Sequence, residues 1–315
     1  MAFVEREIEV AIKLAQQTGA NQPSVFAGTS SDTVSLKDHR ASVRVSNSGG
    51  LAGSRAQVSI WGMTPSLMNQ LSTLGMVIQQ VPQNIMTVTA GDAESGMSTV
   101  FVGTITDAYG DYNQAPDVPF LFEALAGAAE NAIPFPASSY PGAADAATIL
   151  SAIAQRAGWG FENSGVSVQL SRPYLAGSAM EQVQKVAEAA RINAQLVVGS
   201  GQGTGGPGNV LAIWPRYGVR QALGIPLLAP RPNGQMVGYP SYTQQGIMVK
   251  NLFDPRLAMG GQFKLETSLP QTSKSGIWNI FKLDLALDAL LPKGQWMSTV
   301  YGYNPNFPAP IPPRV

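Results

Sequence analysis

The sequence predicts a β-rich α+β protein in which two antiparallel, tube-like β-barrel regions flank a small α+β module. Three observations carry this prediction. Both outer thirds contain short runs in which apolar and polar residues alternate, the period of a half-buried strand. Gly, Pro, Asp and Ser clusters punctuate those runs at intervals that suit antiparallel strands with tight connections. The middle third instead carries apolar residues at helical spacing between capping residues.

From the N terminus, residues 5–14 (EREIEVAIKL) alternate charge with Ile8, Val10, Ile12 and Leu14 and read as a first strand. Strands over 34–36, 41–47 and 57–61 follow, with a Gly-rich turn at Ser48-Gly49-Gly50. A helix over about 64–75 interrupts them. Thr64 is its N-cap, Pro65 stands in the first turn where a missing N–H costs little, and Gly75 is its stop. Leu67, Met68, Leu71 and Leu74 share one face of it. Strands resume over 85–90 and 99–105 around a turn at 91–96, completing a first barrel expected to span 1–119.

The middle module is expected over 120–214. Residues 145–157 (DAATILSAIAQRA) place Ile149, Leu150 and Ile153 on one helical face, and Gly158 is positioned to end the helix. Ser178 and Glu181 form a capping box that opens a second helix to Arg191, with Met180, Val183, Val186 and Ala187 inward. Short strands at 166–170, 195–198 and 210–214 flank the helices.

Residues 215–303 hold the second barrel, entered through a Pro- and Gly-rich extended connection over 215–242. Its strands are expected at 247–251, 262–267, 277–285 and 295–303. In the third, Trp278, Ile280, Lys282 and Asp284 face one way and Ile277, Asn279, Phe281, Leu283 and Leu285 the other. Residues 304–315 (NPNFPAPIPPRV) form neither helix nor central strand, because proline fixes φ and removes donors. An extended strap is expected, and its apolar Phe307 and Ile311, lacking a local core, are the candidate assembly-interface residues.

Composition narrows the function. Only 13% of the 315 residues are charged, against about 25% in ordinary soluble domains, and the net charge is zero. A neutral polar surface of that extent points to coverage within an assembly. Without a basic excess, nucleic-acid binding is disfavoured. No apolar run reaches the ~18–20 residues of a membrane span, and charged Glu5, Arg6, Glu7 and Glu9 do not make a secretory signal. Cysteine is absent, which removes disulfides and thiolate metal sites.

No catalytic, cofactor-binding or metal-binding set emerges. His39 is the only histidine and sits in a polar turn, Lys37-Asp38-His39-Arg40, where a solvated role is expected. The Gly-rich run 199–208 lacks the Lys-Ser/Thr ending of a phosphate loop and precedes a strand, so it reads as a hairpin loop. Carboxylate pairs such as Glu123 with Glu130, or Glu162 with Asp145, would be needed for a cell-wall hydrolase. They fall in a module too small for a substrate cleft of its own, so capping or surface roles are expected. The late aromatics Trp278, Phe281, Trp296, Tyr301, Tyr303 and Phe307 are expected mostly in core packing; a shallow exposed platform of them would suit a carbohydrate-binding module instead.

A run of short motifs resembles a known family. In order they are Trp61-Gly62-Met63, residues 68–75 (MNQLSTLG), Ala90-Gly91-Asp92, Phe101-Val102-Gly103 and Phe161-Glu162-Asn163. Leu252-Phe253-Asp254-Pro255, Gly260-Gly261, Gly276-Ile277-Trp278 and Gly294-Gln295-Trp296 follow. Together they resemble the baseplate hub proteins of contractile-tailed, Mu-like phages. The resemblance implies two tube-like barrels per chain and a homotrimer whose six barrels match a three-fold central spike to a six-fold tail tube. It further implies a virion location in the tail baseplate after synthesis in the host bacterial cytoplasm. Its partners would be the spike and the tail tube or its initiator, with the tape measure and baseplate wedge proteins nearby. Neither a cofactor nor enzymatic activity is implied. The hub of a related bacteriocin or injection apparatus would share the same pattern.

Overall fold

The computed structural model describes residues 5–15, 25–26, 30–48, 54–73, 83–128, 135–198, 209–221, 223–243, 246–267 and 275–305. The fold class is the expected one: β-rich α+β, with antiparallel β regions on either side of an α+β module. The first region comprises β1 (Arg6–Lys13), β2 (Thr33–Leu36), β3 (Ala41–Asn47), β4 (Arg55–Trp61), helix α1 (Pro65–Leu71), β5 (Ile85–Asp92), β6 (Gly96–Gly110) and β7 (Pro119–Leu125). Alternation decides which side chains enter the core. Ile8, Val10 and Ile12 of β1 are buried together with Val43 and Val45 of β3 and Val58 and Ile60 of β4.

The middle module comprises β8 (Ser138–Ser139), β9 (Ala143–Asp145), helix α2 (Ala146–Ala157), β10 (Gly160–Asn163), β11 (Gln169–Ser171), β12 (Tyr174–Leu175), helix α3 (Ala179–Ala190), β13 (Ile192–Val198) and β14 (Asn209–Pro215). Both helices are capped as their sequences require. The Asp145 side chain accepts from the Thr148 N–H, Gly158 ends α2 in the left-handed conformation, and the capping box of Ser178 with Glu181 is formed in full. Ile149, Leu150 and Ile153 meet Met180, Val183 and Val186 in a separate core over the β10–β14–β13 sheet. Gln182 is buried in the module with its amide donating to Pro136 O and Gly177 O at 3.0 and 3.1 Å.

The last region comprises β15 (Leu227–Leu228), β16 (Ser241–Thr243), β17 (Gly246–Leu252), β18 (Gln262–Leu265), β19 (Gly276–Ala289) and β20 (Trp296–Tyr303). Four expectations need correction here or in the first region. Residues 119–125, assigned in part to the middle module, form β7, which pairs with both β4 and β6 and buries Phe120 and Phe122 in the main core. The first β region therefore runs past residue 119. Helix α1 stops at Leu71, short of Gly75, because Thr73 is tied to β6: its N–H donates to Ala108 O and its hydroxyl accepts from Ala108 N, both at 2.8 Å. The stretch 215–242 is not only a connection, since β15 pairs with β18, Met236 bridges to Asn251, and β16 pairs with β17. A short strand, β10, was not anticipated; it runs parallel to β14.

The fourth correction concerns β19. Its pairing with β20 slips between Ile280 and Lys282, leaving Phe281 as the extra residue of a bulge. One added residue reverses the facing of everything beyond it. Trp278 and Ile280 therefore share the buried side with Leu283, Leu285 and Leu287, rather than opposing them.

Among the described residues one antiparallel path runs β16–β17–β20–β19–β3–β4–β7–β6–β5–β1–β2. The two β regions are thus joined through β3 and β19, residues Ala41 to Asn47 against Ala289 to Leu283. A single core runs through both, from Ile8 to Val300, and takes in Val197, Ala212 and Trp214 from the middle module.

Candidate functional site

The β3–β19 seam is the first of two places where distant parts of the chain are locked together. On its buried side Ala41, Val43 and Val45 face Ala289, Leu287 and Leu285. On its other side stand Ser42, Arg44 and Ser46, whose pairing residues are Asp288, Ala286 and Asp284. Asp288 accepts from Arg44 Nη1 at 2.6 Å and Nη2 at 3.2 Å, from Ser42 Oγ at 2.8 Å and from the Gln295 N–H at 2.7 Å. Ser46 Oγ donates to Asp284 at 2.8 Å. Burial pushes the Asp288 carboxyl up, but the donors from Arg44, Gln295 and Ser42 together outweigh it and hold the group below the usual carboxylate range.

The second lock centres on Arg220, which is 8% exposed. Its Nε and Nη2 donate to the two oxygens of Glu162 on β10 at 2.9 and 2.6 Å, a bidentate pair. Its Nη1 donates to Met259 O at 3.1 Å, and its backbone N–H to Gly260 O at 2.8 Å. The middle module is thereby pinned to the segment leading into β18. Gly260 has φ +74° and must be glycine twice over, since a Cβ there would meet Trp214 at 2.9 Å and Arg220 at 3.0 Å. Hydrogen bonding from Arg220 holds the Glu162 carboxyl below its usual range. A further tie links β13 to β3 through the buried Gln195 amide and Asn47.

The expected candidate residues are dispersed among these features. His39 lies in the bend between β2 and β3 and is half-buried: its Nδ1 lies 3.1 Å from Trp61 O, and Arg40 stacks over the Trp61 ring at 4.6 Å. Glu123 lies on β7 and accepts from Arg55 and from Gln57 at 3.0 Å; hydrogen bonding from Arg55 lowers its pKa. Asp145 is the α2 cap, and Glu162 belongs to the Arg220 lock. A general acid of the hydrolase kind needs a raised pKa. Glu123 and Glu162 are shifted the other way, and the two carboxylates Glu162 and Asp145 serve separate structural contacts. Among the described residues no group of three potential metal ligands occurs.

The late aromatics divide between core and mutual packing. Trp278, Trp296 and Tyr303 are buried, Phe253 meets Trp296 edge-on at 5.7 Å, and Phe281 lies 6.3 Å from both Tyr301 and Tyr303. Phe307, Ile311, Glu130 and the Gly-rich run 199–208 lie outside the described residues. Arg44, Asp288 and Arg220 were not singled out by sequence. The first two sit in ordinary-looking strands and the third in a Pro- and Gly-rich stretch, with nothing local to mark their partners.

No family model matches the chain, and no curated protein matches its sequence. Solved structures do. A tail protein of Neisseria meningitidis superposes with a TM-score of 0.60 at 6% identity, over 94% of this chain and 96% of that one. The 43 kDa tail protein of prophage MuSo2 from Shewanella oneidensis does so at 0.54 and 9% identity, over 95% and 98%. The chain has the tail-protein fold. An Escherichia coli component of the type VI secretion system, itself described as structurally similar to T4 bacteriophage tail proteins, shares the tail-protein fold at 0.55 and 10% identity, over 96% of this chain and 80% of that one. At such identities the fold persists while nearly every side chain has changed, which is the expected behaviour of a shape held by alternation and packing.

Proposed function

We propose that this chain is a structural hub of a contractile phage-tail baseplate, adapting a trimeric central spike to a hexameric tail tube for genome delivery. The observation that carries the reading is end-to-end correspondence with two tail proteins, over 94–95% of this chain and 96–98% of theirs. Low charge supports it, since a surface poor in charge suits coverage by neighbours. In this reading three copies assemble, the tube or its initiator stacks on one side, and the spike hangs from the other. Tape measure and wedge proteins adjoin them. Phe307 and Ile311 of the C-terminal strap bury against a neighbour, and no covalent chemistry is required. The structural duties of Glu123, Glu162 and Asp145 agree with a non-enzymatic part.

The test is the mass of the purified chain by light scattering, alone and mixed with its candidate spike. A trimer in either sample is expected. A chain that stays monomeric in both overturns the hub reading. Likeness to the type VI secretion component favours a second reading, the hub of a related injection apparatus. Electron microscopy of lysates from cells lacking the protein separates them: tails without baseplates indicate a phage, and intact phage tails with lost effector export indicate the secretion machine.

A further inference from the structure

A cleft of about 500 Å³ lies on the middle module. Three separate segments converge on it: the turn before β11, the C-terminal end of α3, and the turn after β14. Val166, Val168 and Ile192 give it an apolar lining, and Arg191, Arg216 and Tyr217 stand around it. No carboxylate lines it. Tyr217 is 63% exposed.

The charge arrangement is the informative part. Ile192 pairs with Pro215 at the end of the β13–β14 ladder, and Arg191, the cap of α3, and Arg216, in the turn after β14, each adjoin that last pair in sequence. Two like charges around one cleft repel, and neither guanidinium has an ion-pair partner among the described residues. The carbonyl end of α3 favours a cation at Arg191, but it does not account for the second one at Arg216. Arg191 also closes α3 at φ +54°, a conformation that glycine adopts without strain and arginine does not.

We infer that this cleft is a docking site for an acidic peptide segment of another protein, its carboxylates bridging Arg191 and Arg216 and an adjacent apolar side chain resting on Val168, Ile192 and Tyr217. Arginine pairs suit carboxylates through paired N–H donors, and the apolar lining selects a peptide over a bare anion. The inference stands on this cleft alone and does not depend on the tail reading.

The test is fluorescence anisotropy of the full chain with a labelled acetyl-EELFEEL-amide peptide. Saturable binding is expected, with no binding of the acetyl-QQLFQQL-amide control. Arg191→Gly relieves the left-handed strain, so its melting temperature should equal or exceed that of the parent while affinity falls about tenfold or more. Arg216→Gln should weaken binding to a similar degree. The inference is overturned by absence of saturable binding, by affinity unchanged in both variants, or by displacement of the peptide by equimolar inorganic phosphate or oligothymidylate.

Discussion

Arg220 ties Glu162 of the middle module to the main chain at Met259 and Gly260, so one side chain fastens three segments that are far apart in sequence. Removing one partner of a pair this enclosed leaves the other buried without compensation, which is worse than having neither. Arg220→Met should cost about 2–4 kcal/mol in urea unfolding, at the low end of such losses because Glu162 keeps some access to solvent. The same pair predicts an acid limb. The Glu162 carboxyl is held below its unfolded value, so its contribution is complete above about pH 4.3, the ordinary glutamate pKa, and is lost as pH falls through the folded value. Melting temperature should therefore decline more steeply below pH 4 in the parent than in Glu162→Gln. Equal slopes would remove Glu162 from the account. Asp288 acts in the same direction at the seam, since its carboxyl is also held low.

Strand β19 shows how one residue sets the role of a whole element. Its first part, Gly276 to Asn279, pairs with β18, and its last part, Leu283 to Ala289, pairs with β3, while β20 covers the other edge. The bulge at Phe281 lets both parts send apolar side chains to the same core. Deleting Phe281 would restore strict alternation and turn Trp278 and Ile280 away from the side that Leu283, Leu285 and Leu287 occupy. Expression of that deletion variant should yield insoluble protein or a chain without a cooperative melt by circular dichroism. Replacing Phe281 with Ala keeps the bulge and loses only its contacts with Tyr301 and Tyr303, so the variant should fold with a loss of about 1–3 kcal/mol.

At the scale of the whole molecule, the joined sheet and the common core make the two β regions interdependent. A fragment ending after β7 would leave the β3 edge unpaired and the apolar sides of Val43 and Val45 without Leu287 and Leu285. Residues 1–126 expressed alone should aggregate, whereas co-expression with 127–315 should recover a soluble complex; a soluble, cooperatively folded fragment would show the seam to be dispensable. The role proposed for residues 304–315 makes an opposite prediction. Truncating 304–315 should leave the melting temperature of the isolated chain within a few degrees of the parent and weaken assembly. In the proposed assembly, burying Phe307 and Ile311 on a neighbour would contribute on the order of 3–5 kcal/mol before ordering costs. Particles that form equally well without the strap would deny it that role.

Local signals were sufficient wherever a structure is closed by residues near one another in the chain. Thr64, Ser178 with Glu181, and Gly158 marked helix ends because a cap satisfies backbone groups within three or four residues of itself. Alternation in 5–14, 41–47 and 295–303 located strands because the side-chain period is built into the backbone. The order of short motifs was enough to predict a tail-protein resemblance, and the structural comparison agrees with it at the level of fold. Tertiary structure alone decided the rest. Only the fold shows that Phe281 is an extra residue, because a bulge is defined by the partner strand and not by the strand that carries it. Only the fold puts Arg44 beside Asp288, 244 positions away, Arg220 beside Glu162, 58 away, and Arg191 and Arg216 around one cleft. Isolated charged residues carry no local period, so their partners are chosen by topology.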